Sequence, residues 1–134
     1  MKTITVAAAI IVNDQNQLLL VRKQNTQYFM QVGGKLEENE APDEAMLREI
    51  KEEIGVDASI DQFIGRFETP AANEPNHLLV SYLYQVSFDG EPKVDGEIAE
   101  MKWINLSNQD AFLAPLTTEI VIPWCQKYLN MVLA

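Results

Sequence analysis

Carboxylates crowd the stretch from Gly33 to Val56, GGKLEENEAPDEAMLREIKEEIGV, which holds eight acidic residues against three basic ones. Carboxylate oxygens are the ligands that Mg²⁺ prefers in proteins, and a bound Mg²⁺ usually keeps waters and substrate phosphate oxygens in its shell. If the fold gathers these side chains in one place, the segment predicts a site for a divalent cation and a phosphate-bearing ligand.

Most of this charge lies on a predicted helix from about Pro42 to Ile54. Proline suits the first turn of a helix, and Gly55 is well placed to end it. At 3.6 residues per turn, Glu49 and Glu53 lie one turn apart at one border of an apolar stripe, and Glu52 lies further round. The stripe itself consists of Met46, Leu47, Ile50 and Ile54. We therefore expect these carboxylates beside the buried edge of the helix.

Acidic runs on helices are usually solvated, and exposed like charges one turn apart cost only a few tenths of a kcal/mol. Beside a core, where the effective dielectric constant is about 20, two carboxylates about 5 Å apart repel by about 3 kcal/mol. Few basic residues stand near enough in the sequence to offset this repulsion. A divalent cation would offset it, and the backbone of Gly33 and Gly34 can approach such an ion because neither residue has a Cβ.

These residues resemble a Nudix box, the pattern G-x5-E-x7-R-E-U-x-E-E-x-G-U in which U is a bulky aliphatic residue. The sequence matches every position, with Gly34, Glu40, Arg48, Glu49, Ile50, Glu52, Glu53, Gly55 and Val56. The resemblance implies an α/β fold, a Nudix-type α/β/α sandwich with a mixed central β-sheet. It also implies a hydrolase that uses Mg²⁺ or Mn²⁺ to split nucleoside diphosphates linked to another group.

Roles for the box residues follow from the same resemblance. Glu49 and Glu53 would be the principal metal ligands, and Glu52 and the carbonyl of Gly34 would join them. Arg48, with Glu40, would orient the glutamates.

The general base is less well defined by the resemblance. Family members often use a carboxylate from a loop after the box, and Glu97 and Glu100 are the candidates in GEIAEMKW. We favour Glu97, because Glu100 can already belong to the following strand; Glu68 is a third, less favoured option. Glu52 is the alternative base, and an ordinary acidic loop is the non-functional interpretation of Glu97.

Residues just before the glycines are candidates for substrate binding. Arg22, Lys23 and Lys35 are close enough in sequence to meet phosphates, although charged strand ends also serve solubility. Tyr28 and Phe29 can stack on a base, and Phe29 fits a core position equally well. The sequence leaves the substrate open among an oxidised nucleoside triphosphate, ADP-ribose and another nucleotide sugar.

The remaining pattern is that of one domain over residues 1–134, with strands interleaved with helices. We expect a loop at 24–30, a cap for a short helix near Leu106–Asn108, and a closing helix from about Thr117 to Met131 capped by Thr117 or Thr118. The predicted strands are Thr3–Val12, Gln17–Lys23, Ala58–Glu68, His77–Phe88 and Met101–Ile104.

Composition limits the class of protein and its partners. A net charge of −10 over 134 residues argues against binding duplex nucleic acid and favours a small nucleotide held through cations. No apolar run is long enough to span a membrane, and with no credible export signal we expect a cytoplasmic protein. A homodimer is compatible with the sequence, which specifies no surface for it.

Two other functions fit the same scaffold. A catalytically silent Nudix-fold module would bind nucleotide or a protein, but it would have no need for the intact glutamate set. An isomerase would need a catalytic thiol, and Cys125, the only cysteine, stands late in the closing helix.

Overall fold

The computed structural model describes residues 2–107 and 112–130. No helix in these residues is long and apolar enough to cross a membrane. The helical elements are α1 (Pro42–Ile54), a π-helical turn (Thr117–Val121) and α2 (Ile122–Tyr128). The strands are β1 (Lys2–Ile10), β2 (Leu18–Lys23), β3 (Tyr28–Met30), β4 (Val32–Lys35), β5 (Ala58–Pro70), β6 (His77–Phe88), β7 (Ile98–Ile104) and β8 (Phe112–Leu113).

The strands form two mixed four-stranded sheets, with orders β4-β1-β6-β5 and β7-β2-β3-β8. In each sheet one pair is parallel, β1 with β6 and β3 with β8, and the other pairs are antiparallel. The amide of Leu19 donates to the carbonyl of Ile11 at 2.9 Å where the chain turns from the first sheet into the second. The expected mixed sheet is therefore present as two sheets instead of one.

Alternate residues of β1 contact helices on opposite faces. Ala7 and Ala9 pack in one apolar cluster with α1, whereas Ala8 and Ile10 pack in another with the π-helical turn and α2. Strands covered on both faces read as continuous apolar runs, which explains the sequence of β1 and of LLLV in β2. The α/β/α arrangement expected from the resemblance is confirmed.

Helix α1 has the bounds that its pattern predicts. Pro42 occupies the first turn, and the Glu44 carboxylate accepts the Ala41 amide at 3.0 Å. Gly55, with φ of 72°, ends the helix in a left-handed conformation that favours glycine. Local signals thus fix both ends of the element that carries the acidic residues.

The segment 24–30 was expected to be a loop, but residues 28–30 form β3. Phe29 pairs with Arg22 on β2, and Tyr28 pairs with Phe112 on β8. A strand of three residues is too short to show an alternating pattern, so only its neighbours reveal it. Strand β7 also begins earlier than expected, at Ile98, and therefore includes Glu100.

The expectation that Thr117 or Thr118 caps the closing helix is wrong. The Thr117 hydroxyl donates to Gln31 Oε1 at 2.8 Å, and no side chain caps the π-helical turn. Thr117 is fully buried, so its hydroxyl serves a buried amide instead of the helix start. Asn108 of the other expected cap and Met131 at the expected helix end lie outside the described residues.

The glycine pair (Gly33 and Gly34) lies within β4 and not in a loop. Gly33 pairs with Ala8 of β1, and Gly34 pairs with Ala7. A Cβ on Gly33 would overlap the Ala7 carbonyl oxygen and lie 2.8 Å from the Ala8 Cα. The close approach of β4 to β1 therefore depends on glycine at this position.

We expect Gly33→Ala to destabilise the fold more than Gly90→Ala does. Both glycines have positive φ, 154° and 96°, so both substitutions strain the backbone by about 1–3 kcal/mol. Only the Gly33 substitution adds a clash, because nothing lies within 4 Å of a Cβ on Gly90. Urea unfolding of the two variants measures the difference, and equal losses of stability would show that β4 has room for a side chain.

Candidate active site

The side chain of Arg48 organises the acidic residues around α1. Its Nε and Nη2 atoms donate to the two carboxylate oxygens of Glu40, each at 2.8 Å. The Glu37 amide donates to the same carboxylate at 2.9 Å. The hydrogen bonds from Arg48, and then from the Glu37 backbone, lower the pKa of Glu40 to about 2. Glu40 therefore stays ionised and fixes the guanidinium plane.

The third nitrogen of Arg48 reaches the metal-ligand candidates. Nη1 lies 2.9 Å from Glu49 Oε1 and 3.3 Å from Glu52 Oε2. A single guanidinium therefore contacts the carboxylates of Glu37, Glu40, Glu49 and Glu52, which leaves their negative charge only partly offset. The orienting role that the resemblance gives Arg48 fits these distances.

The carboxylate of Glu49 lies directly against the glycine pair. A Cβ built on Gly34 would come within 2.7 and 2.8 Å of the two Glu49 oxygens. The Glu49 side chain is 17% exposed. Any larger residue at position 34 would therefore displace this carboxylate from the β4 backbone.

Glu53 is the most deeply buried carboxylate of the helix, with 4% of its surface exposed. The Gly33 amide donates to its Oε1 at 3.1 Å, and no cation within residues 2–107 and 112–130 forms an ion pair with it. Its pKa is raised to about 8, chiefly by burial and also by the charges of Glu49 and Glu97. The Gly33 hydrogen bond and the charge of Lys23 act in the opposite direction. A cation bound beside Glu53 would stabilise the ionised carboxylate and so lower this pKa.

A loop before β7 is tied to the end of α1. The Lys93 amide donates to the Ile54 carbonyl at 2.9 Å, and the Asp95 amide donates to the Glu53 carbonyl at 3.0 Å. Carbonyls in the last turn of a helix lack partners within the helix, so this loop satisfies them. The loop carries Glu97, whose charge acts on Glu53.

The Glu100 carboxylate is engaged by basic side chains of β2 and β7. It lies on β7 and forms ion pairs with Arg22 at 3.3 Å and with Lys102 at 3.9 Å. Of Glu97 and Glu100, the two candidate bases just before Trp103, Glu97 is thus the one whose charge acts on Glu53 at the end of α1.

The donor set suits Mg²⁺ or Mn²⁺, because it consists of carboxylate oxygens and a backbone carbonyl and includes a buried carboxyl without a cation partner. In the part of the chain that is described, no three acidic, histidine or cysteine side chains are arranged as a ready-made ligand group. The Nη1 atom of Arg48 lies against both Glu49 and Glu52, so these two carboxylates are engaged by a cationic side chain in this structure.

A cleft of about 250 Å³ adjoins the glycine pair. Its walls come from β1, from residues 30–35, from the loop between β5 and β6, and from residues 114–116. Lys23 and Lys35 both line it. No local pattern in the sequence indicates the walls that are remote along the chain, whereas the lysines near the glycines are evident from it.

The expected substrate-binding residues divide into those near the cleft and those away from it. Lys35 lines the cleft and lies 3.8 Å from Glu74 on the β5–β6 loop. Arg22 does not line it, because its guanidinium pairs with Glu100 and donates to the Thr26 carbonyl at 2.9 Å. Lys23, the third basic candidate, lines the cleft.

The two aromatic candidates are not in the cleft lining. Phe29 is 5% exposed within the apolar cluster, and Lys102 Nζ lies 5.0 Å from its ring centre. Tyr28 packs against Phe112, with ring centres 6.2 Å apart. Stacking of a base on Phe29 is therefore wrong, and the core position is the correct alternative for this residue.

Burial also excludes a reactive thiol at Cys125. The side chain is fully buried, and burial raises the pKa of the thiol to about 12. The thiolate needed by an isomerase would not form there near neutral pH.

The chain matches the sequence profile of the NUDIX domain over residues 1–125. It belongs to the Nudix family. Nudix hydrolases act on phosphoric anhydride bonds, and the protein is a pyrophosphohydrolase of this family. The family typically uses divalent metal ions, which agrees with the oxygen-rich donor set of α1.

Several known Nudix proteins are similar to this one. The 8-oxo-dGTP diphosphatase of Escherichia coli is 29% identical over 91% of this chain and 95% of its own length. The ADP-ribose pyrophosphatase of Methanocaldococcus jannaschii is 28% identical over 77% of this chain, which spans 63% of that relative. The crystal structure of a UDP-X diphosphatase matches with a TM-score of 0.78 at 24% identity, over 97% of this chain and 64% of that one. This structural similarity shows the fold alone.

We expect the metal-free Nudix protein to lose stability as pH rises from about 4.5 to 8. The pKa of Glu53 is about 8 in the fold against an ordinary 4.5, so the folded state binds more protons in this window. The stabilising contribution is complete below pH 4.5 and is lost as pH rises through 8. At about 1.4 kcal/mol per pKa unit, the loss amounts to a few kcal/mol.

Glu53→Gln removes this titration and keeps an acceptor for the Gly33 amide. Urea unfolding in chelator at several pH values should therefore show a flatter profile in Glu53→Gln than in wild type. The exposed Glu91→Gln serves as the control and should follow wild type. Identical profiles for wild type and Glu53→Gln would contradict the assignment.

Proposed function

We propose that this Nudix hydrolase splits a nucleoside diphosphate linked to another group, with the diphosphate bound at the glycine pair. One observation carries the proposal. The glycine pair contacts the Glu49 and Glu53 carboxylates and also lines the cleft. A nucleotide in the cleft would therefore have its phosphates beside the acidic edge of α1.

We infer that Glu49, Glu52, Glu53 and the Gly34 carbonyl hold Mg²⁺ or Mn²⁺. Such a cation, when bound, offsets the charge of the diphosphate and makes a bound water more acidic. The chain contributes oxygen donors whose positions are restricted before the ion arrives. Arg48 holds Glu49 and Glu52, and the Gly33 amide holds Glu53.

Glu97 is the proposed general base, and Glu52 is the alternative. The base removes a proton from a water whose oxygen attacks phosphorus. The bond from that phosphorus to the bridging oxygen then breaks, and the departing phosphate leaves with the bridging oxygen. Glu97 is favoured because its loop is bonded to the last turn of α1 and its charge acts on Glu53. Glu52, which is half exposed, is already engaged by Arg48.

The nucleoside would occupy the cleft, and Lys23 and Lys35 would face the phosphates from its lining. The names of the relatives support two kinds of substrate, an oxidised nucleoside triphosphate and ADP-ribose. Another nucleotide sugar is compatible with the same arrangement. The net charge of −10 favours a small substrate over duplex nucleic acid.

Glutamine variants test the assigned carboxylates. With a nucleotide that the wild type hydrolyses and saturating Mg²⁺ or Mn²⁺, we expect Glu97→Gln to lower kcat by at least about 100-fold, the usual scale for removing a positioned acid–base group. Glu53→Gln should also lower kcat by orders of magnitude, because it removes a charged ligand of the proposed cation. Glu91→Gln is the matched control and should keep normal turnover. Near-normal turnover in Glu53→Gln would remove that residue from the mechanism.

The pH profile separates the two candidate bases. Loss of the acidic limb of the kcat profile in Glu97→Gln, with the limb retained in Glu52→Gln, would support Glu97; the reverse would assign the base to Glu52. If the wild type binds Mn²⁺ and nucleotide but turns over no triphosphate, ADP-ribose or nucleotide sugar, the silent module is the better description.

A further inference from the structure

We propose that the cleft recognises a nucleobase by shape and apolar contact and discriminates only weakly between bases. The inference rests on the proposed function, because it takes the cleft to be the nucleoside site. It concerns which nucleotides the enzyme accepts, and it follows from the state of the polar groups that line the cleft.

The floor of the cleft offers mainly hydrocarbon. Three side chains of β1, from Ile4, Val6 and Ala8, lie on the same face of the strand and line it. Leu79 of β6 and Met30 of β3 complete this surface. Such a surface contacts the faces and edges of any flat ring, but it provides no hydrogen bond that would distinguish one base from another.

Gln31 is the one fully buried polar side chain among the described residues that line the cleft, with 4% of its surface exposed. Both ends of its amide are engaged by the protein. Nε2 donates to the Ala9 carbonyl at 3.1 Å, and Oε1 accepts the Thr117 hydroxyl at 2.8 Å. To bind a base, Gln31 would have to leave two buried partners unpaired, which is costly. We therefore assign it to holding the cleft wall.

The backbone of the opposite wall is also largely committed. The Ala114 amide donates to the Phe29 carbonyl at 2.9 Å, and Pro115 has no amide hydrogen. The amides of Thr117 and Thr118 both donate to the Ala114 carbonyl, at 2.9 and 3.1 Å. This wall therefore has few donors left for the edge of a base.

The other polar residues of the lining lie either near Lys23 and Lys35, where the phosphates are proposed to bind, or at the exposed edge of the cleft. The Thr26 hydroxyl donates to the Lys23 carbonyl at 2.8 Å, and Lys35 pairs with Glu74 at 3.8 Å. Asn73 is exposed on the β5–β6 loop. Asn73 is thus the side chain best placed to read a base by hydrogen bonds, and it is the one to test.

The size of the effect follows from how enzymes discriminate. An apolar pocket separates similar ligands by about 10- to 200-fold, whereas a site with hydrogen-bonding groups reserved for the ligand separates them by about 10⁴- to 10⁵-fold. We therefore expect kcat/KM values that stay within about 100-fold across bases when the leaving group is the same.

The experiment measures kcat/KM for two panels with wild-type enzyme and Mg²⁺. One panel holds ATP, GTP, CTP, UTP and 8-oxo-dGTP, and the other holds ADP-, GDP- and UDP-glucose. A spread of about 100-fold or less within the more active panel is expected. A preference above about 1,000-fold for a single base would overturn the inference. If nothing is hydrolysed, which contradicts the proposed function, Kd values for the same nucleotides decide the inference by the same spread.

Two variants test the physical cause. Ala114→Val narrows the cleft and should lower kcat/KM for purine nucleotides at least several-fold more than for pyrimidine nucleotides. Ala58→Val adds the same volume in the other apolar cluster and should leave the ratio unchanged. Asn73→Ala should leave the order of bases unchanged. Loss of a base preference in Asn73→Ala, or equal effects of Ala114→Val on all bases, would overturn recognition by shape.

Discussion

The close contact of the β4 backbone with both of its neighbours is the constraint on which the site depends. Gly33 pairs with Ala8 of β1 on one side, and its amide donates to Glu53. Gly34 leaves room for the Glu49 carboxylate. Side chains at these two positions would separate the strand from β1 and from α1. Gly33 and Gly34 also line the cleft. The β4 backbone at these two residues therefore lies between the carboxylates of α1 and the proposed ligand site.

The charge of α1 is balanced unequally. Arg48 contacts Glu37, Glu40, Glu49 and Glu52, so four carboxylates share one cation that cannot lose its proton near neutral pH. Glu53 has only a backbone amide and the more distant charge of Lys23 to offset its burial. Ionisation of Glu53 therefore lowers the stability of the metal-free fold, and a divalent cation bound beside it would offset this loss. The acidic edge is in this sense matched to a ligand of opposite charge.

How far the sequence predicts the structure depends on whether a signal is local. The sequence predicts helix α1 with its observed bounds, because Pro42 and the apolar stripe lie within it and Gly55 follows it directly. The position of Glu53 beside the core followed from the same periodicity. The cap at Thr117 was wrong because a buried amide competes for its hydroxyl from a distant part of the chain.

The cleft could not be predicted for a related reason. Its walls come from segments far apart in sequence, and strand β3 is too short to carry a pattern of its own. The sequence therefore leaves Phe29 open between the core and the ligand site, and the pairing of β3 with β2 and β8 places it in the core. Arg22 and Lys23 are adjacent, and only the register of β2 decides which of them faces the cleft.

Anomalous X-ray diffraction from crystals grown with Mn²⁺ tests the central claim most directly, because it locates the cation without requiring turnover. The account predicts an anomalous peak within bonding distance, about 2.2 Å, of carboxylate oxygens from Glu49 and Glu53 and beside the Gly34 carbonyl. A well-ordered structure in which these oxygens keep their contacts with Arg48 and the Gly33 amide, with no anomalous peak near them at saturating Mn²⁺, would contradict it.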